Sequence, residues 1–395
     1  MPRSIPALVK PELLVWARES AGFPSQELAA GSMGIHPLTL EEWENGHVSP
    51  TVAELRKLGE FYKRPIAVFF LDEPPRRFDA QREFRRLAGI MPETASPEFL
   101  QALRWAVFRR EAAMELHRLT GDPPEVINAR LHPQMDAEQA GIRIRELLGV
   151  SWAEQSEWTT PYEALRAWRS AVEAKGVLVF QTSDVELEEM RGTCIPDQPL
   201  PVILLNGKDA PHGRIFSMLH EFAHILLHAG GHLTSRMIGE RSPEEQPLEV
   251  AANAFAAAAL LPERAFRLAV ESHRAAMQGD DQSLRQLAQR LKVSPEAILR
   301  RMTTLGLTTE GVYRRKREAW GSRVWYIAAP TTGGGPRVEV KTIAKDGRGY
   351  TRLVLDAHDQ RLISTSAASD YLGVRPRHFP NIRRELSLRP EPADA

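Results

Sequence analysis

Apolar positions recur at helical spacing along most of the chain and give way to short β-branched runs in one central stretch. In "PELLVWARESAGF" Leu14, Ala17 and Ala21 fall on one stripe, and Gly22 ends the helix. "PSQELAAGSMGIHP" predicts a short second helix that starts at Pro24 and Ser25 and ends near Gly34. "LTLEEWENGHVSP" predicts a third, stopped by Asn45 and Gly46. "TVAELRKLGEFYKRPIAVFF" opens on a Thr51 cap and spaces Val52, Leu55, Leu58, Phe61 and Tyr62 as a helix does. Short helices with a tight turn between the second and third make a helix-turn-helix arrangement.

The double proline and charge run of "LDEPPRRFDAQREFRRLAG" break the periodicity and set a boundary near Asp72 to Arg76. Helical patterning returns from Ser96 to about Ala174. "GVLVFQT" and "PVILLNG" then read as strands. "LAQRLKVSPEAILRRM" alternates helix, turn and helix, with Val293 and Ser294 at the turn, and "AAPTTGGGPR" reads as a flexible linker. The tail from "RVEVKTIAKD" onward predicts a strand or two followed by helices. The expected fold class is mainly α with a small β-sheet (α+β). Four segments are expected: residues 1–73, a helix-turn-helix bundle; 74–312, a second domain closed by a helix-turn-helix-like element at 281–312; 313–335, a linker; and 336–395, a small C-terminal α/β domain.

At 395 residues the chain is long for a single core. Its 51 basic and 51 acidic residues cancel, so no global field draws it toward nucleic acid or membrane, and such binding needs local patches. A single cysteine excludes a disulfide framework and CxxC zinc sites, and fits a reducing cytosol. No signal peptide or long apolar run is present, which predicts a cytoplasmic protein with no membrane contact.

One stretch carries chemistry that patterning alone does not explain. "FSMLHEFAHILLHAGG" sets His220, Glu221, His224 and His228 in an otherwise apolar helix. Residues four apart lie one turn apart on a helix face, so His220 and His224 suit two ligands of a tetrahedral zinc ion. Glu221 beside them is placed to take a proton from water at the metal. A helix apolar nearly all round is buried, and buried imidazoles need partners. Downstream, "PLEVAANAFAAAALLP" predicts a second helix whose one carboxylate before its proline stop is Glu249, the candidate third ligand of a His₂Glu site. Its alanines let it approach a neighbouring helix closely. His228 lies a further turn along the same face, outside tetrahedral reach of the other two, and is expected to line the cleft or bond a backbone carbonyl.

Residues 76 to about 312 resemble the ImmA/IrrE metallopeptidases, through "REFRRL" at 82–87, "PVILLNG" before "GRIFSMLHEFAHILLH", and "EVAANAFAAAALLP". The resemblance implies a zincin-like, gluzincin-type metallopeptidase domain, with His220, His224 and Glu249 as zinc ligands and Glu221 as catalytic base. Asn253 corresponds to the asparagine of the family's ExxAN element, a structural hydrogen-bonder. Ala251 departs from the glutamate or glutamine often found there.

The first segment resembles the Xre/Cro type of helix-turn-helix, through "SQELA", "LEEWENG" and "LGEFYKRPIAVFF". That resemblance implies duplex contacts from Ser25, Gln26, Thr39, Glu42 and Asn45, and a structural role for Glu44. Yet Glu41 and Glu42 would face phosphates that repel them, so docking of a partner protein or a dimer mate stays open. Cys194 reads as packing or as an inhibitory thiolate on the zinc. Arg375, Arg377, His378, Arg383 and Arg384 make the tail locally basic, either as a nucleic-acid contact or as a solvated face.

The expected function is zinc-dependent proteolysis coupled to DNA binding. A helix-turn-helix repressor is the first candidate substrate, in a stress, phage or mobile-element response, with single-stranded DNA as one activator to test. The alternative is a transcription regulator whose peptidase-like domain senses a ligand, nucleic acid or partner and cleaves nothing. A third reading is a toxin or antitoxin-like component that depends on a neighbouring protein.

Overall fold

A computed structural model describes residues 6–21, 23, 25–62, 66–73, 96–227, 234–237, 246–321 and 336–388. They fall into two compact units, Met1–Trp105 and Ala106–Ala395.

The first unit holds α1 (Pro11–Ser20), α2 (Gln26–Met33), α3 (Pro37–Glu44) and α4 (Val52–Phe61). Ser25 caps α2 by accepting the Leu28 N–H at 3.3 Å, and Gly34 ends it in the left-handed region at φ 68°. Leu14, Ala17, Phe23, Ala29, Ala30, Leu40, Trp43, Leu55 and Leu58 share one core. A buried ion pair crosses it: Arg18 Nε donates to the Glu44 carboxylate at 2.9 and 3.1 Å. Glu44 is therefore structural.

Helix α5 (Pro97–Thr120) spans the boundary at Trp105, and α6 (Ala137–Leu148), α7 (Trp152–Glu157) and α8 (Pro161–Glu173) of the second unit precede a four-stranded sheet. Its strands are β1 (Leu178–Thr182), β2 (Met190–Ile195), β3 (Val202–Asn206) and β4 (Thr234–Met237), in the order β1-β3-β2-β4. β1 and β3 run parallel, while β2 is antiparallel to both neighbours. The sequence pattern predicts only β1 and β3, because Arg191 and Gly192 interrupt the apolar run of β2. Cys194 lies inside β2, buried in the core and paired in register with Ile203.

Helix α9 (Pro211–Leu227) packs on β2, β3, α8 and α10 (Gln246–Leu260). The alanines of α10 meet α6 at Gly141, where a Cβ would fall 2.6 Å from the Ala258 Cβ and backbone carbon. Only a glycine admits so close an approach. Three buried side chains then finish the C-terminal end of α10. Arg145 donates to the Ala259 carbonyl at 2.7 Å, Gln155 to Leu260 at 3.1 Å and Arg301 to Leu261 at 3.0 Å.

After α11 (Glu263–Glu271) come α12 (Asp281–Leu291) and α13 (Pro295–Thr304), then α14 (Glu310–Trp320). The last corrects an expectation: residues 313–320, taken as linker, are a helix anchored by buried Tyr313 and Trp320, and Lys316 bonds Asp281 at 2.7 Å. "AAPTTGGGPR" lies largely outside the described residues.

The C-terminal segment also departs from expectation. Its described part is entirely helical: α15 (Val338–Asp346), α16 (Arg348–Asp359), α17 (Thr365–Leu372) and α18 (Phe379–Ser387). "VEVKTI" carries β-branched residues, but α15 buries Glu339, Thr342 and Asp346 at helical spacing. Buried Asp346 pairs with Arg109 at 2.9 Å, and the Ala344 carbonyl accepts from Arg169 and Gln181. These tertiary partners override a weak local strand preference. The predicted α/β character of this segment is not found, and its helices belong to the second unit. Among the described residues no helix is long and apolar enough to cross a membrane.

Candidate metal centre

The α9 helix starts against Asp209, whose carboxylate accepts the Ala210 N–H at 2.8 Å and pairs with Arg191 at 3.1 Å. Gly213 leaves room for that carboxylate, since a Cβ there would come within 2.5 Å of it. An anion at this helix end is favourable. Two turns further, His220 and His224 are both fully buried, with Nε2 atoms 3.1 Å apart. Glu249, in the first turn of α10, reaches them from the neighbouring helix. Its Oε1 lies 3.2 Å from His224 Nε2 and its Oε2 lies 3.5 Å from His220 Nε2.

The triangle tests whether zinc fits. Ligands at about 2.0–2.1 Å from a tetrahedral ion stand roughly 3.3 Å from one another. The observed separations of 3.1 Å between the imidazoles, and of 3.2 and 3.5 Å to the two Glu249 oxygens, bracket that value. Two imidazole nitrogens and a carboxylate are also the donor set zinc takes at catalytic sites. Among the described residues, His220, His224 and Glu249 are brought together as a group able to hold a metal. Burial pushes the Glu249 carboxyl up, but hydrogen bonding and charge from the two histidines outweigh it and hold the group below the usual carboxylate range.

Glu221, next to His220 in sequence, is 1% exposed and lies against Gly192 of β2. A Cβ on Gly192 would meet its Oε1 at 3.5 Å and Ser217 Cβ at 3.2 Å. The strand therefore lies in contact with the carboxylate, and a larger residue at 192 would crowd Ser217. Sequence reading missed Gly192, and the available signal was a lone glycine in an otherwise buried strand. It also missed Arg145, Gln155 and Arg301, which act on carbonyls distant in sequence.

Asn253 is half-buried and donates from Nδ2 to the Glu249 carbonyl oxygen at 2.8 Å, bracing the turn that presents the ligand. His228 and "REFRRL" lie outside the described residues. In the first unit Ser25 is the α2 cap, and Gln26 gives its amide to Glu44 at 2.8 Å. Thr39 is half-buried, whereas Glu42 and Asn45 are exposed at the end of α3.

Residues 172–303 match the family model of the IrrE N-terminal-like domain, and residues 14–69 match that of a helix-turn-helix. The chain carries an IrrE-like domain behind a helix-turn-helix domain. The IrrE-like match contains all three candidate ligands, Glu221 and Gly192, and neither match reaches the helices after α14. A search of curated proteins gives no match. Among solved structures, a Mycobacterium tuberculosis transcriptional regulator aligns at 17% identity and TM-score 0.30 over 49% of this chain. The alignment spans 52% of that protein, about half its length.

Proposed function

We propose that the chain is a cytoplasmic zinc-dependent endopeptidase coupled to DNA binding, and that it cuts a regulatory protein in a stress, phage or mobile-element response. The observation that carries this reading is the close grouping of His220, His224 and Glu249, with Glu221 adjacent on the same buried helix.

When bound, zinc supplies a Lewis acid that polarises a peptide carbonyl and acidifies water. His220, His224 and Glu249 hold it, and the carboxylate offsets part of its charge. Glu221 accepts a proton from the attacking water and returns it to the departing amine. The apolar walls of α9 exclude bulk water, which strengthens both the charge interactions and the proton transfer.

The substrate class proposed is a helix-turn-helix repressor encoded near this gene. The test incubates each such repressor with the zinc-loaded chain, with and without single-stranded DNA, and follows cleavage by mass spectrometry. Wild type should cut one of them, and Glu221→Gln should retain zinc and cut none. Equal cutting by Glu221→Gln removes Glu221 from the chemistry. Stoichiometric zinc with no cleavage of any partner would favour the sensor reading.

A further inference from the structure

The local geometry of the first helix-turn-helix recurs in the C-terminal helices. In both places a serine caps an eight-residue helix by accepting the N–H three residues on: Ser25 from Leu28 for α2, Ser364 from Ala367 for α17. Each helix then ends on a left-handed glycine, Gly34 at φ 68° or Gly373 at φ 64°. The next residue bonds back over the turn, Ile35 N–H to Ala30 O and Val374 N–H to Ser369 O. A proline opens the following helical segment at the same interval, Pro37 or Pro376.

The buried positions match as well. Ala29, Leu40 and Trp43 of the first unit have Ala368, Phe379 and Ile382 at the same intervals, all within the core. An interhelical ion pair also stands at that position with its charges exchanged, buried in the first unit and exposed here: Glu44 receives Arg18 from α1, while Arg383 donates to Asp359 of α16 at 2.9 Å.

Schellman-type turns alone are common, so the turn by itself says little. The α12–α13 pair shows how differently such a turn can be used. Its turn residue, Lys292, is also left-handed, but α13 sinks Ile298, Leu299 and Met302 into the core, and Arg301 is spent on Leu261. What sets α17 and α18 apart is their outer surface. Arg375, Arg377 and Arg384 are exposed, with no carboxylate from Arg375 through Arg384. Glu385 just beyond is engaged by Arg337 at 3.3 Å. At three matching positions of the first unit stand exposed Leu38, Glu42 and Asn45, against Arg377, Asn381 and Arg384 here.

We infer that residues 364–387 form a second helix-turn-helix, and that its basic face, carried by Arg375, Arg377 and Arg384, binds the phosphate backbone of double-stranded DNA. A helix-turn-helix places its second helix in the major groove, and exposed arginines there neutralise phosphates and release counterions. Arg383 is excluded from that role, being held by Asp359 and lying over the Phe379 ring at 5.9 Å. The inference stands apart from proteolysis: it can hold whether or not the metal centre cleaves anything.

The test uses the full chain and a fluorescein-labelled, mixed-sequence DNA duplex of about three helical turns, read by anisotropy across a potassium chloride series. Arg375→Gln, Arg377→Gln and Arg384→Gln together should weaken binding at low salt by roughly tenfold or more and reduce the slope of log K against log salt by about 3. Arg314→Gln, a charge loss of the same kind at an exposed position of α14, should change affinity by less than about twofold. Circular dichroism melts check that each variant folds. If the triple variant fails to fold, Arg384→Gln alone should still lower the slope by about 1. Unchanged affinity and slope in a folded triple variant, a loss as large in Arg314→Gln, or tighter binding of single-stranded RNA of equal length would each overturn the assignment.

Discussion

Two buried polar clusters, one in each unit, balance their charge differently. Arg18 and Glu44 lie out of solvent with a 2.9 Å ion pair, and Gln26 and the Phe23 carbonyl complete the cluster. A guanidinium faces a carboxylate, so the set is neutral as the sequence supplies it. At the candidate metal centre two imidazoles and one carboxylate bring their nitrogens and oxygens to within 3.1 to 3.5 Å of one another. We read that arrangement as a site for a cation. Burial of polar groups marks neither structure nor function by itself; the charge balance of the cluster separates the two.

The largest effect should follow from removing a ligand. His224→Ala or Glu249→Gln should lower zinc affinity by more than about 100-fold, since changes one shell further out already cost 10- to 100-fold. Elemental analysis of purified protein measures it, and undiminished zinc in either variant would end the comparison. Chelation of the wild type should likewise lower its melting temperature, with recovery on adding zinc.

Next comes the neutral cluster. Arg18→Met should cost the first unit about 3–5 kcal/mol by leaving Glu44 buried without its counter-charge, whereas Arg18→Met with Glu44→Leu should recover most of it. Urea titration followed by tryptophan fluorescence distinguishes the two. If the double variant is as unstable as the single, the pair is more than a balanced charge.

Smaller effects sharpen how the metal ligand is positioned. Gly141→Ala drives a Cβ into α10 at Ala258 and should cost about 1–3 kcal/mol in thermal unfolding, with weaker zinc binding alongside. Asn253→Ala removes one hydrogen bond to the Glu249 carbonyl and should cost about 0.5–1.5 kcal/mol. A stability loss there with zinc affinity unaltered would show that the bond braces the helix without orienting its carboxylate.

The grouping of the candidate metal centre was legible because two members are local on α9 and the third is the lone carboxylate before Pro262 on an alanine-rich helix, and the structure brings the three together. Helical period alone places His220 over His224. The helix-turn-helix of the first unit was legible for the same reason, through caps and stops at Ser25, Gly34 and Asn45. "VEVKTI" misled because its buried face is polar: Glu339, Thr342 and Asp346 find partners far away in the chain, and no periodicity of apolar residues reports them. β2 was missed since Arg191 and Gly192 look like a turn until β3 and β4 are seen to flank them.

By itself, then, the sequence determined where helices start and stop, the residues offered to a metal, and the order of the two matched domains, since these depend on contacts within a turn or two. Tertiary structure alone decided that Glu249 arrives at 3.2 Å from His224, that Gly192 lies against Glu221, and that the C-terminal tail is helical. Each of these depends on residues brought together across long stretches of chain, where packing and the pairing of buried polar groups outweigh local preference.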